Sequence, residues 1–462
     1  MFVVMALVTT VATTPLTNWL YPPWYRTKLE AWKRGEIDWD GNPLGGSEGS
    51  IVTAKVMRDG KIRRLLVYLR LDSLPSLFTF ITLLGEERAA PDAADDESKV
   101  PRLRTRHMEV HALRILELTE RTSSVMKVSE VEEYARRDPV LNAFRTFSQL
   151  HDIATTGDVV ITAESSYAQT VTTQASEQGS NFALIPWSEV GSNTEDQAVP
   201  FNVSSEERFT SRSNLSFIQS VLSGATCDTG IFIANGFGGI TNRDGKERPS
   251  FKRTLSGVSV RTTQRDAVLP VTDKSHHIFL PYIGGADDRA ALRFVLQLAK
   301  NPCVTVTIAH LAGPDGDEAV SGVSESKEVI SLETTAQDIG LLAAMRSSLP
   351  AELSDRVKFI DTTVEAGVTP LIEEAVEEAR RTVGQNSRNA GDIVVVGRRH
   401  PRLADLLDIE RQEIQKTIGV LGERILAESL RTTSVLVIQA ATAAQATATT
   451  SAVGGSEAVD ES

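Results

Sequence analysis

Cysteine is nearly absent. The 462 residues include two, Cys227 and Cys303, far apart and in no CxxC or Cys/His spacing. That argues against a disulfide framework and a structural zinc site, and it favours a reducing compartment. Positive charge is short as well: 48 Lys and Arg stand against 61 Asp and Glu, a net charge of −13. General nucleic-acid binding needs a basic surface, so no nucleic-acid partner is expected. Neither HExxH nor GxxxxGK[ST] occurs, and no nucleophile or metal site presents itself, so an enzyme is not expected. His151-Asp152 resembles an acid–base pair, but a histidine favoured by a helix C-terminus is the simpler account. After residue 20 there is no long apolar run.

What is present begins at the front. The first twenty residues, MFVVMALVTTVATTPLTNWL, carry no charge. At about 1.5 Å per residue, that length just crosses a hydrocarbon core of about 30 Å. Pro15 is tolerable in such a helix. Trp19, Tyr21, Trp24 and Tyr25 then form an aromatic belt, and Arg26, Lys28, Lys33 and Arg34 follow it. The positive-inside rule places everything after about Arg26 in the cytosol. No basic segment precedes the apolar run, as a signal peptide would require, and no amphipathic period marks a soluble helix. The expectation is an integral membrane protein, with a terminal transmembrane helix over 1–25 and a juxtamembrane linker over 26–61.

Behind that edge, strand and helix alternate, and the order is given twice. IRRLLVYLRLD, MEVHALRILEL, DVVITAES, NFALIPW and DTGIFIAN read as strands with helices between them, one of which is opened by Asp138-Pro139. HHIFLPYI, CVTVTIAHL, RVKFIDTTV, DIVVVGRR and TSVLVIQ repeat the scheme. Short continuous apolar strands alternating with helices predict parallel sheets covered on both faces, and similar lengths suggest a duplication. The fold class expected is α/β: two tandem doubly wound domains over 62–240 and 276–439, joined by a basic linker over 241–275. The low-complexity segment over 440–462 is expected to be disordered. Lys246, Arg248, Lys252 and Arg253 in the linker read as a solvated charge run, with an anionic lipid head group as the alternative.

Doubly wound sheets bind ligands beyond the carboxyl ends of their strands, where helix N-termini point their N–H groups outward. Those positions in the second copy nominate Gly284, Gly285, Gly397, Arg398, Arg399, Gly419 and Gly422 as ligand-binding residues. Gly397 permits close backbone approach, and the arginines suit an anion. The alternative has Asp287 and Asp288 as helix-start acids, with the arginines solvated or paired with Glu. Asn235–Gly239 after the last strand of the first copy reads as an exit loop, and both cysteines read as small hydrophobes bordering strands.

MALVTTVATTPLTNWLYP, LRILELTERTSS, IGGADDRAAL, DIVVVGRRHP and IGVLGERILAESLRTTSVLVIQ follow one another in this order, and together they resemble the cation/proton antiporter-2 family. MALVTTVATTPLTNWLYP resembles its last transmembrane helix, most closely in the fungal K⁺/H⁺ antiporters and the related plant cation/H⁺ exchangers. LRILELTERTSS, IGGADDRAAL, DIVVVGRRHP and IGVLGERILAESLRTTSVLVIQ resemble the cytosolic region of that group. The resemblance implies exchange of K⁺ or Na⁺ against H⁺, a membrane setting, a homodimer, and two regulatory domains like the universal-stress-protein fold. It also implies a transport core outside this sequence, so the chain is expected to be the final part of a longer protein or a gene model begun late at Met1. No cofactor is expected, although a nucleotide is left open. The universal-stress loop G-x-x-G-(x9)-G-[ST] is not matched: three positions after Gly397 stands His400, and the next candidate is Gly419-Val420.

Overall fold

The computed structural model describes residues 61–85, 108–118, 131–151, 153–193, 205–238, 273–312, 338–347, 349–364, 368–386, 389–400, 403, 411–428 and 433–441. The expected transmembrane pass, the basic linker beyond Gly238 apart from residues 273–275, and the tail after Ala441 lie outside them. Among the described residues, no helix is long and apolar enough to cross a membrane. Two compact units divide the chain, Met1–Gly60 with Ala336–Pro350, and Lys61–Thr335 with Ala351–Ser462. The described part of the first contains a helix over residues 338–347.

The second unit is built on one ten-stranded sheet. Its strands are β1 (Arg64–Leu69), β2 (Glu109–Glu117), β3 (Ala154–Thr162), β4 (Phe182–Pro186), β5 (Asp228–Ile233), β6 (His276–Tyr282), β7 (Val304–Ala312), β8 (Val357–Thr363), β9 (Asp392–Gly397) and β10 (Thr433–Gln439). Their order is β3-β2-β1-β4-β5-β10-β9-β6-β7-β8. Numbered within its own half, each set of five runs 3-2-1-4-5, with every pairing inside a half parallel. The fifth strands meet antiparallel, Val435 opposite Ile233 and Gln439 opposite Thr229, so the halves share one sheet about an approximate two-fold. This is the mixed α/β, parallel-dominated architecture that the alternating pattern predicts. The joining of the two copies edge to edge is what the pattern leaves unstated.

Why these segments form strands is plain from their burial. β4, β9 and β10 are buried at every position, β1 at all but Arg64, and the residues are largely Val, Ile, Leu and Phe. Such runs suit strands covered on both faces. The covering helices are α1 (Leu74–Leu84), α2 (Pro139–Leu150), α3 (Tyr167–Glu177), α4 (Arg212–Gly224), α5 (Ala286–Leu298), α6 (Val368–Thr382) and α7 (Gln412–Ala427). Helix α2 starts where its sequence says it should. Pro139 takes the first turn, where no N–H partner is needed, and the Asp138 carboxylate accepts from the Leu141 N–H at 2.7 Å.

On one face, α1 and α5 meet over the seam between the halves, with the ring of Phe294 stacked on Phe80 and Phe182. Burying Phe80, Phe182 and Phe294 contributes roughly 2 kcal/mol each. On the other face, α4 crosses the same seam, where Gln219 Nε2 donates to Thr417 Oγ1 at 2.8 Å. Gln439 Nε2, at the end of β10, donates to Leu222 O at 2.7 Å. The seam is thus apolar in its centre and hydrogen-bonded at its margins.

Candidate functional site

Within the second half, β6 and β9 are neighbours whose crossovers leave in opposite directions, which creates a crevice beyond their carboxyl ends. The Gly284–Gly285 turn lies on one side, with φ of 114° and 112°, values open to glycine alone at low cost. Gly397, Arg398, Arg399 and His400 lie on the other. Between them, two buried carboxylates start α5. The Ile283 and Gly284 N–H groups donate to Asp288 Oδ2 at 2.9 Å each, and His400 Nε2 donates to Asp288 Oδ1 at 3.0 Å. Asp287 receives Arg399 three times: from its N–H at 2.9 Å, Nε at 3.0 Å and Nη2 at 2.9 Å. It also receives the Ala440 N–H at the exit of β10, at 2.9 Å.

Gly397 is fitted to this arrangement. A Cβ there would lie 2.3 Å from Asp288 Oδ1 and 3.0 Å from the Asp288 nitrogen. The close approach read from the sequence does occur, but the chain's own carboxylate makes it. Burial drags the fully enclosed His400 imidazole downward, yet the charge of Asp288, its hydrogen bond and the charge of Asp287 prevail and leave the pKa raised.

Arg398 turns the other way. Helix α7 is broken at Gly419, which sits at φ 80° and ψ 161°. Arg398 Nε donates to Thr417 O at 3.0 Å and Nη2 donates to Lys416 O, so the guanidinium caps the last carbonyls before the break. Gly419 is needed on two counts: its φ is left-handed, and a Cβ would lie 2.2 Å from Arg398 O. Gly419 is therefore the point at which a helix that begins at Gln412 breaks and restarts. Gly422 faces the sheet, where a Cβ would meet Val437 and Val396 at 3.4 and 3.6 Å.

Of the seven nominated residues, Gly284, Gly285, Gly397 and Arg399 are brought together around Asp287 and Asp288. Arg398 and Gly419 form a second group, and Gly422 packs into the core. The arginine partner is Asp287 rather than a glutamate. His400, recorded in the sequence only as an interruption of a glycine loop, belongs to the network. The signal for it was present in DD at a helix start followed, across the sheet, by RRH at a strand end.

The first half closes its own crevice with a charge pair on one side only. Beyond β1, buried Arg70 pairs with Asp72 through Nε and Nη2 at 3.1 Å, and donates to Ser188 Oγ at 3.1 Å and Ser192 O at 2.8 Å. The Glu189 N–H, beyond β4, donates to Asp72 at 3.1 Å. The second crevice is spanned by ion pairs, whereas the first is spanned by hydrogen bonds from an Arg70–Asp72 pair on the β1 side to Ser188, Glu189 and Ser192 on the β4 side. Elsewhere, a cleft of about 540 Å³ between α6 and the end of α7 is lined by Glu373, Glu377, Arg380, Arg424 and Glu428, and there Arg380 pairs with Glu377 and Glu428. His151 ends α2, its backbone N–H donating to Ser148 O, and its ring lies tilted against Phe147. One GxSxG match, Gly45–Gly49, lies outside the described residues.

The class defined by this geometry is a tandem α/β unit, two doubly wound halves on one sheet. Two family models match it in order: a plant cation/H(+) antiporter domain over residues 110–237, and the plant cation/H(+) antiporter C-terminal domain over residues 275–439. Cation/H(+) antiporter 18 of Arabidopsis thaliana is 24% identical over 454 residues, 95% of this chain and 46% of that protein. Cation/H(+) antiporter 19 of the same plant is 22% identical over 68% of this chain and 32% of its own length. The chain therefore spans half the length of these relatives or less. Among solved structures, a universal stress protein from Archaeoglobus fulgidus is similar at 12% identity and a TM-score of 0.38, covering 82% of this chain and 96% of that one. The two domain matches and the relatives support placing the chain in the cation/proton antiporter family.

Proposed function

We propose that the chain is the C-terminal regulatory part of a monovalent cation/proton antiporter, attached through a last membrane helix over residues 1–25. The observation that carries this reading is the ordered pair of antiporter domain matches over 110–237 and 275–439. In this reading, the residues after about Arg26 are cytosolic, and the exchanged ions are K⁺ or Na⁺ and H⁺. The fungal K⁺/H⁺ type and a homodimer rest on the sequence resemblance, while the matched relatives are plant proteins. A transport core carries the ions, and the tandem unit biases its conformational equilibrium by packing differently on each state. The test is to delete residues 62–439 from the full-length exchanger and measure K⁺-driven proton flux across a pH series. Altered pH or K⁺ dependence is expected, and an unchanged dependence would remove the regulatory role.

The other reading, a nucleotide-binding stress-type protein, asks for room at the second switch point. What counts against it is the Asp288 carboxylate at Gly397 and the triple engagement of Arg399 by Asp287. Titration calorimetry with ATP and AMP on the folded chain separates the readings, and a saturable heat would restore this one.

A further inference from the structure

Three chain exits converge on the start of α5. Asp288 holds the turn after β6 through the Ile283 and Gly284 amides, and holds the loop after β9 through His400. Asp287 holds that same loop through Arg399, and the exit of β10 through Ala440. One residue further, the Ala441 N–H donates to Asp228 Oδ1 at 2.8 Å, and Asp228 opens β5 of the other half. Consecutive amides, Ala440 and Ala441, are thus gripped by carboxylates from the two sides of the seam.

Three carboxylates gather here. Facing His400 are Asp288 at 3.0 Å and, further off, Asp287. Arg399 adjoins but is engaged by Asp287, Arg398 is turned onto the α7 break, and Arg293 of α5 faces Asp228. With His400 protonated, Asp288 has its own counter-charge in a site closed to water. When the proton leaves, a buried carboxylate is left with backbone amides and a neutral ring, and buried charge without a partner is costly.

We propose that this corner is a pH-responsive clasp, in which protonated His400 holds Asp288 and with it the three loops, and deprotonation on alkalinisation loosens them together. The proposal concerns the chain itself and goes beyond the transport reading. His400 is raised above its ordinary 6.5, so its contribution is fully present below 6.5 and is lost as pH rises through the raised folded value. Asp228 is raised above 3.8 by burial first and also by Asp287, so its contribution is present below 3.8 and likewise fades as pH rises. Protonation of Asp228 weakens its acceptance from the Ala441 N–H, so the tightening of the corner on acidification comes from His400.

The test is hydrogen–deuterium exchange of the 462-residue chain between pH 5.5 and 8.5, corrected for intrinsic exchange, on peptides covering Ile283–Gly285, Arg399–His400 and Ala440–Ala441. The expected result is a joint loss of protection of roughly tenfold per unit of raised pKa, with a midpoint above 6.5, and a flat profile in His400→Gln. Absence of the step in the unmodified chain, or its persistence in His400→Gln, overturns the proposal. Should His400→Gln fail to fold by circular dichroism, Asp288→Asn keeps the shape and removes the charge. Its midpoint is expected to fall, and an unmoved midpoint overturns the proposal equally.

Discussion

Replacing Gly397 with alanine sets a methyl group against the Asp288 carboxylate. The new Cβ would lie 2.3 Å from Oδ1, whereas ordinary contact begins near 3.4 Å, so the carboxylate must retreat by about an ångström. The neighbouring contacts, 3.0 Å to the Asp288 nitrogen and 3.2 Å to the Asp287 carbonyl carbon, are backbone and leave little freedom. Moving that far breaks the 3.0 Å bond to His400 or the pair of 2.9 Å bonds to Ile283 and Gly284. Overpacking costs about 1–3 kcal/mol, and a lost hydrogen bond to a charged group about 1.5–3 kcal/mol. The two overlap, because the displacement is what breaks the bond, so the expected loss is about 3 kcal/mol, more than a hundredfold in the unfolding equilibrium. Urea unfolding followed by far-ultraviolet circular dichroism at pH 7 measures it. If Gly397 instead served to admit an external phosphate, alanine would change stability by less than about 0.5 kcal/mol, as substitutions away from such packing do. A change that small would refute the reasoning.

Two further glycines of the expected ligand set, Gly419 and Gly422, separate cleanly. Gly419→Ala meets Arg398 O at 2.2 Å in a left-handed conformation and is expected to cost about 2–3 kcal/mol, whereas Gly422→Ala makes only ordinary contacts and should be neutral or stabilising by up to about 1 kcal/mol. Parallel urea titrations would show the contrast, and equal effects would contradict it. His276, whose Nδ1 lies 2.7 Å from Gly391 O, is depressed below 6.5 by burial, so its contribution is present above pH 6.5 and lost as pH falls. His276→Gln should therefore flatten part of the stability loss between about pH 6.5 and 5, seen as a smaller shift in Tm. Burial and neighbouring Asp228 push the Cys227 thiol up to about 12, so iodoacetamide at pH 8 should label the partly exposed Cys303 and leave Cys227 intact until the chain is unfolded.

The two-copy strand and helix pattern was legible because it is local. Apolar runs such as VVVG and VLVIQ, the Asp138-Pro139 helix start and the polar joins are fixed by propensity and burial within a few residues. The carboxyl ends of β6 and β9 were legible as a meeting place for the same reason, since strand alternation implies a switch point. Which groups would fill that place was not, because the partners are far apart in sequence: Asp287 and Asp288 reach Arg399 and His400 across 112 residues. Nothing local distinguishes a helix-start acid facing water from one buried under a histidine. The seam shows the same division. The sequence by itself determined ten strands and their helices, but pairing β5 with β10 antiparallel, and packing Phe294 on Phe80 and Phe182, depends on two edges finding each other. A burial pattern read along one chain states that a residue is inside, while only the tertiary structure says against what. At Gly397, that difference decides whether the space belongs to a ligand or to the protein itself.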